Sequence, residues 1–234
     1  MNKSSLLSIL FVFMFAFSYG QDKGYVAISF GPSFPNGDFG SKDLNNESAG
    51  LANTGAIVDI SFTQKFGKHL GMTLLLRGQA NGIDTEPFLD ELYAENPSIL
   101  WTAESNSWGI GGFMGGIYGN YPMGNGHFSF EPRVMVGVVN ATSPDILLTG
   151  YAVGQSASVK QHSADATAFA YLLGVGFKYN LGTHLCLIAN IDYLGASPEF
   201  KDVLTTNSLG AYETITFTQT YGTVNMGVGI GYRW

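Results

Sequence analysis

The 234-residue chain has a single cysteine, Cys186, so no disulfide framework organises it. Charge is also scarce. Asp, Glu, Lys and Arg make up 12% of the residues, about half the share of an ordinary globular domain. Basic residues are the scarcer kind, 11 Lys and Arg against 18 Asp and Glu, and the net charge of −7 argues against a nucleic-acid binder. Beyond the N-terminus no apolar run is long enough for a membrane helix; the best, Ala166 to Phe177, stops at Lys178. Sparse charge with 14% aromatics excludes disorder.

Glycine is abundant, at 31 residues, close to twice the usual frequency. The N-terminus is built for export. Lys3 supplies a positive n-region, Leu6 to Phe17 is apolar except for Ser8, and Ser18-Tyr19-Gly20 ends on a small residue. Residues 1–20 are therefore read as a cleaved signal peptide and residues 21–234 as one mature domain; an uncleaved N-terminal anchor is the alternative. No cysteine follows the apolar run, which excludes a lipoprotein anchor. An exported chain without a membrane helix is either soluble or a β-barrel.

The mature sequence alternates with a period of two, the signature of strands with one apolar face. Val224, Met226, Val228, Ile230, Tyr232 and Trp234 share one parity, opposite Thr223, Asn225, Gly227, Gly229, Gly231 and Arg233. Comparable segments begin near Val26, Ala56, Met72, Trp108, Phe128, Phe169 and Leu185, which predicts eight strands. Trp108, Ile110, Met114 and Tyr118 are assigned to the outer face, and Phe113, Leu75 and Met135, each by its own strand's parity, to the inner one. Short glycine-containing turns centre near residues 68, 124 and 182, and long polar stretches occupy 35–53, 82–106, 141–165 and 195–213. Short turns on one side and long loops on the other predict an all-β fold: an eight-stranded antiparallel up-and-down transmembrane β-barrel with short periplasmic turns and long extracellular loops. If residues 147–159 pair as their own hairpin, ten strands stay open.

A soluble sandwich or lipocalin-like barrel would solvate the polar parity. That parity is too rich in Gly and Ala, and its few charges are mixed in sign and lie mid-strand. Aromatics gather at strand ends on the apolar parity: Phe66, Tyr118, Phe128, Tyr179 and Trp234 at one rim, Trp108, Phe169, Tyr171 and Tyr193 at the other. Two such girdles are a membrane-barrel feature.

Signal segment, eight alternating strands and a terminal Tyr-Arg-Trp resemble the small outer-membrane β-barrel proteins of the OmpX/OmpA-like group, particularly the PorT-like outer membrane protein beta-barrel domains of Bacteroidota-type bacteria. The resemblance covers the whole mature chain and is one of pattern. It implies an outer-membrane monomer in contact with membrane lipid, with Tyr232 and Trp234 as the insertion signal read by the barrel-assembly machinery. No peptidoglycan-binding domain follows, so no tethering role is implied.

An eight-stranded bore is just wide enough for side chains to fill it. By parity it receives Asp59, Arg77, Glu131, Arg133, Lys178, Asp192 and Arg233. Buried charges must pair. The expected pairs are Arg77 with Asp59 or Glu131 and Arg133 with Asp192 or Glu131, forming a structural plug or, alternatively, a gated ion path. Residues 82–106 carry six acids and no base. They could hold calcium, but the spacing lacks the D-x-[DN]-x-[DN]-G pattern, and a solvated acidic face is the simpler reading. Pro87 to Glu95 is expected to form a short helix folded onto the barrel mouth. Residues 214–220 and 147–159 extend strands above the membrane, where backbone edges can pair with an extracellular protein or surface ligand.

No catalytic or cofactor site emerges. His127-Phe128-Ser129 has the His-x-Ser form of lipid A deacylases, but by parity it points inward near a periplasmic turn, and such a site must face lipid at the outer leaflet. His69, His162 and His184 lie in turns or loops with no metal-ligand spacing. Cys186 is read as an inert packing residue. The sequence thus predicts a non-enzymatic barrel with a structural, adhesive or surface-interaction role. A narrow pore is the alternative, and a lipid-modifying enzyme is the least supported.

Overall fold

A computed structural model describes residues 24–124 and 126–234. The segment assigned to the signal peptide lies outside these residues. Eight long antiparallel strands close into a barrel: β1 (Tyr25–Pro35), β2 (Ala52–Lys65), β3 (Leu70–Ile83), β5 (Trp108–Gly119), β7 (Phe128–Thr142), β10 (Asp165–Asn180), β11 (Leu185–Ala196) and β14 (Tyr221–Arg233). Each pairs with its sequence neighbour in the barrel, β1 pairs with β14, and β7 with β10, so the barrel wall has no free edge. The three-residue β6 (Tyr121–Met123) adds to the end of β7 at a short turn. Among the described residues no helix is long and apolar enough to cross a membrane.

A second sheet stands on the long-loop end. It contains β4 (Leu100–Ser105), β8 (Ile146–Ala152), β9 (Gln155–Gln161), β12 (Glu199–Asn207) and β13 (Tyr212–Thr218), ordered β13-β12-β9-β8-β4. Residues 147–159 do form a hairpin, but it joins this sheet and the barrel keeps eight strands.

Alternation sets the two faces of the wall. Ile28, Phe30, Val58, Leu76, Val136, Phe169 and Val228 point outward and are exposed, Phe30 by 64%, whereas Leu75, Met135 and Leu172 are buried inside. Apolar exposure on this scale is unfavourable in water and favourable against lipid.

β5 is the exception to the predicted parity. Met114 is fully buried and Phe113 is 50% exposed, so Trp108, Ile110, Met114 and Tyr118 face the bore and Phe113 and Ile117 face out. Register explains it. Leu75 lies opposite Met114 and Leu76 opposite Phe113, and paired residues share a face. Both parities of Trp-Gly-Ile-Gly-Gly-Phe-Met-Gly-Gly-Ile-Tyr-Gly are apolar or glycine, so periodicity alone could not choose between them. Trp108 and Tyr118 accordingly leave the two rims. Phe66, Tyr179 and Trp234 remain exposed at the short-turn rim, and Phe169 and Tyr171 at the other.

Helix α1 (Glu86–Glu95) forms where a short helix was expected, with a proline in its first turn, where the missing N–H costs nothing. It does not fold onto the mouth, because it buries none of its residues and lies instead along β4. The mouth is filled from a different loop.

Candidate functional site

The bore is crossed by charge at its middle. Arg77 and Asp59 are directly opposite on β3 and β2. The guanidinium donates from Nε to Asp59 Oδ1 at 2.8 Å and from Nη2 to Oδ2 at 2.7 Å. Arg77 Nη2 also reaches Asp192 Oδ2 at 3.1 Å, on β11, four strands away around the barrel in either direction. Arg133 donates to the same carboxylate from Nε at 2.9 Å and Nη2 at 2.6 Å. All four side chains are nearly fully buried. Two arginines against two carboxylates make a neutral layer, and each arginine uses its planar fork on one carboxylate.

Glycine makes that layer fit. Gly174 on β10 lies between Asp192 and Arg133 in register. A Cβ there would collide with Asp192 Oδ1. The small residues of the inward parity are thus the space in which the charged side chains meet.

A second tie lies nearer the short turns. Tyr25 on β1 donates to Glu131 Oε2 at 2.8 Å on β7, again four strands apart. Asn120 Nδ2 donates to Glu131 Oε1 at 2.7 Å, and Lys178 forms an ion pair with the same oxygen. Lys178 Nζ also lies 4.8 Å from the centre of the Tyr25 ring, within cation–π range. Arg233 stands apart from both layers. Half-buried at the short-turn rim, it donates from Nη1 to the carbonyl of Gly182 at 3.2 Å. One residue before the C-terminal Trp234, it is too near the strand end for its side chain to reach the middle of the bore.

The long-loop mouth is closed by rings. Phe39 sits in a 3-10 turn over Gly37–Gly40, with no exposed surface. Its ring lies 4.3 Å from that of Tyr221 and 5.8 Å from that of Trp108, and Trp108 lies 6.1 Å from Phe200. The edge-on contact of Phe39 with Trp108 is a favoured aromatic arrangement. Trp108 Nε1 donates to the Gly50 carbonyl at 2.9 Å, which ties the barrel wall to the far end of the same loop. Lys42 secures that loop from outside, donating to the Leu51 carbonyl and Asn53 Oδ1 at 2.9 Å and pairing with Asp84 at 3.3 Å. Sequence reading missed Phe39. Its signal was a lone aromatic between glycines in a polar stretch.

The bore therefore carries an aromatic seal and two charged ties. At the short-turn end a polar hollow of about 240 Å³ remains, lined by Tyr25, Lys65, Ser129, Lys178, Asn180 and Arg233 among others. Ser129 is buried at this end, whereas His127, read as inward by parity, is exposed at the short-turn rim with its ring 6.5 Å from that of the outward-facing Tyr179. Among the described residues no cluster of three or more His, Cys, Asp or Glu has the geometry to hold a metal, acids of residues 82–106 included. Cys186 is fully buried.

No family model matches the chain, and no curated protein matches it in sequence. Solved structures do. The chain is similar to a major outer membrane protein from Thermus thermophilus, at 10% identity and a TM-score of 0.52, over 92% of this chain and 100% of that one. The fold is that of the outer-membrane β-barrels. It is the fold implied by the resemblance to the OmpX/OmpA-like group. Two further similar structures are Ail, the attachment invasion locus protein of Yersinia pestis (14% identity, TM-score 0.47, 92% of this chain and 100% of that chain), and OprG from Pseudomonas aeruginosa (16%, 0.43, 91% and 96%).

Proposed function

We propose that this chain is an integral outer-membrane protein, exported by a signal peptide over residues 1–20, whose barrel of residues 21–234 is a non-enzymatic anchor for a surface-interaction role. The reading rests on one contrast. The bore is tied by Arg77–Asp192 and by Tyr25–Glu131 and sealed by Phe39, while a whole five-stranded sheet is built on the long-loop end. A solute path would need an open bore, and an enzyme would need a cluster of reactive groups on an accessible face. Among the described residues, the extracellular sheet offers open strand edge outside the barrel wall. The barrel is a monomer in lipid, and its last strand, with Tyr232 outward and Trp234 stacked 5.5 Å from Phe62, is what the assembly machinery reads.

A narrow pore is the second reading, favoured by the polar hollow at the periplasmic end. Single-channel recording separates the two. Residues 21–234 refolded into planar bilayers should be heat-modifiable on gels and electrically silent. Reproducible conductance steps that change on Arg77→Ala or Arg133→Ala would replace the anchor with a pore.

A further inference from the structure

We infer that the outer edge of β13 is a docking site for an extended, basic polypeptide segment, which adds to the extracellular sheet as a sixth strand. The inference rests on the surface role proposed above and names the partner's chemistry.

The two edges of the sheet differ. At β4, Tyr93 from α1 covers the backbone. Its hydroxyl accepts from the Trp101 N–H at 3.2 Å and donates to the Trp101 carbonyl at 3.1 Å. A strand cannot add there without displacing the helix. At β13 no strand or helix lies on the outer side among the described residues. The Asn207 N–H donates to the Ala211 carbonyl, so the antiparallel alternation turns Ala211, Glu213 and Ile215 toward β12. The N–H and C=O groups of Tyr212 and Thr214 consequently point away from the sheet.

Edge strands are usually blunted by lysine, proline, a bulge or brevity. The seven residues Tyr-Glu-Thr-Ile-Thr-Phe-Thr contain neither lysine nor proline, and the register shift in this hairpin falls between Phe200 and Val203 on β12. Apart from the single charge of Glu213, the edge is unprotected in a molecule that covers its other one. Strand addition draws affinity from main-chain hydrogen bonds and specificity from side-chain pockets beside the edge. Such a pocket is present, a hollow of about 260 Å³ lined by Val159, Thr205, Asn207, Tyr212 and Glu213 among others.

Charge decides the occupant. The four long-loop segments, residues 36–51, 84–107, 143–164 and 197–220, carry 13 acids against three lysines. A second copy of this chain would bring the same negative field, and like charges oppose that approach. A partner strand with lysine or arginine is attracted, and one such side chain can enter the hollow beside the exposed Glu213 carboxylate.

The test uses the full mature chain in lipid nanodiscs and a fluorescent β-prone peptide of alternating Thr and Val with flanking lysines, read by anisotropy. Four controls accompany it: the same peptide with glutamates for lysines, the same peptide N-methylated along one edge, the Thr214→Pro variant and the Glu213→Lys variant. Thr214→Pro removes an outward-facing N–H and leaves the bonds to β12 in place, since proline is tolerated on the open side of an edge strand. Each control should weaken binding at least tenfold, with heat-modifiable migration unchanged. Binding that survives both N-methylation and Thr214→Pro, or that is equal for the acidic peptide, overturns the inference. Failure of the surface role is a separate result, because it shows as conductance of the unmodified chain in bilayers and not as peptide binding.

Discussion

Asp192→Ala is expected to lower folding stability by about 3–5 kcal/mol, the range for removing one partner from a buried ion pair. Asp192 accepts three of the five hydrogen bonds within the central charge layer and is the partner shared by Arg77 and Arg133. Its removal leaves Arg133 buried without its carboxylate and Arg77 with Asp59 alone. Neither guanidinium can escape the penalty by losing its proton, because arginine stays charged. Urea unfolding of the variant refolded into lipid bilayers measures the loss. An exposed acid such as Glu95 on α1, changed to alanine, should stay within about 0.5 kcal/mol of the parent. Equal stabilities would mean that the central layer is not closed as described.

Phe39→Ala should lower stability by about 3–5 kcal/mol, the usual effect of truncating a fully buried aromatic. Phe39 packs its ring against both Tyr221 and Trp108, which also meet each other edge-on, and carries no polar atom that could be rehydrated. Its loss leaves a void at the mouth and frees the loop of residues 36–51 from its main apolar contact. The same unfolding assay reads the effect, and amide hydrogen exchange in residues 36–51 should quicken. Unchanged stability together with unchanged exchange would show that the loop is held from outside, by Lys42 and Asp84.

The barrel was legible because its physics is periodic. Lipid outside and a narrow bore inside leave a period of two, and seven of the eight barrel strands had their faces assigned correctly by it. β5 failed for a physical reason. Its twelve residues include six glycines, and its larger side chains are apolar on both parities. Only cross-strand register, with Leu75 and Leu76 on one side and Gly137 and Val138 on the other, sets its orientation, and register is non-local. The lumen charges were found by the same parity, but their pairing was not fixed by it. Asp59 and Arg77 are cross-strand neighbours, whereas Arg77–Asp192 and Tyr25–Glu131 cross the bore and depend on barrel closure. Arg233 shows the limit, since parity gives the face of a residue and not its height in the wall. Phe39 belongs to no strand, and nothing periodic marks a loop residue that folds back into the mouth.

The central claim is that the apolar parity faces lipid and the charged parity is sealed inside. Photolabelling tests it most directly. An apolar carbene precursor dissolved in the bilayer is activated, and the modified residues are mapped by mass spectrometry. Ile28, Phe30, Phe113, Val136 and Phe169 should be labelled, and Leu75, Met114, Met135 and Leu172 should not. Labelling of Met114 in place of Phe113 would reverse β5, and absence of labelling on both parities would contradict the membrane barrel itself.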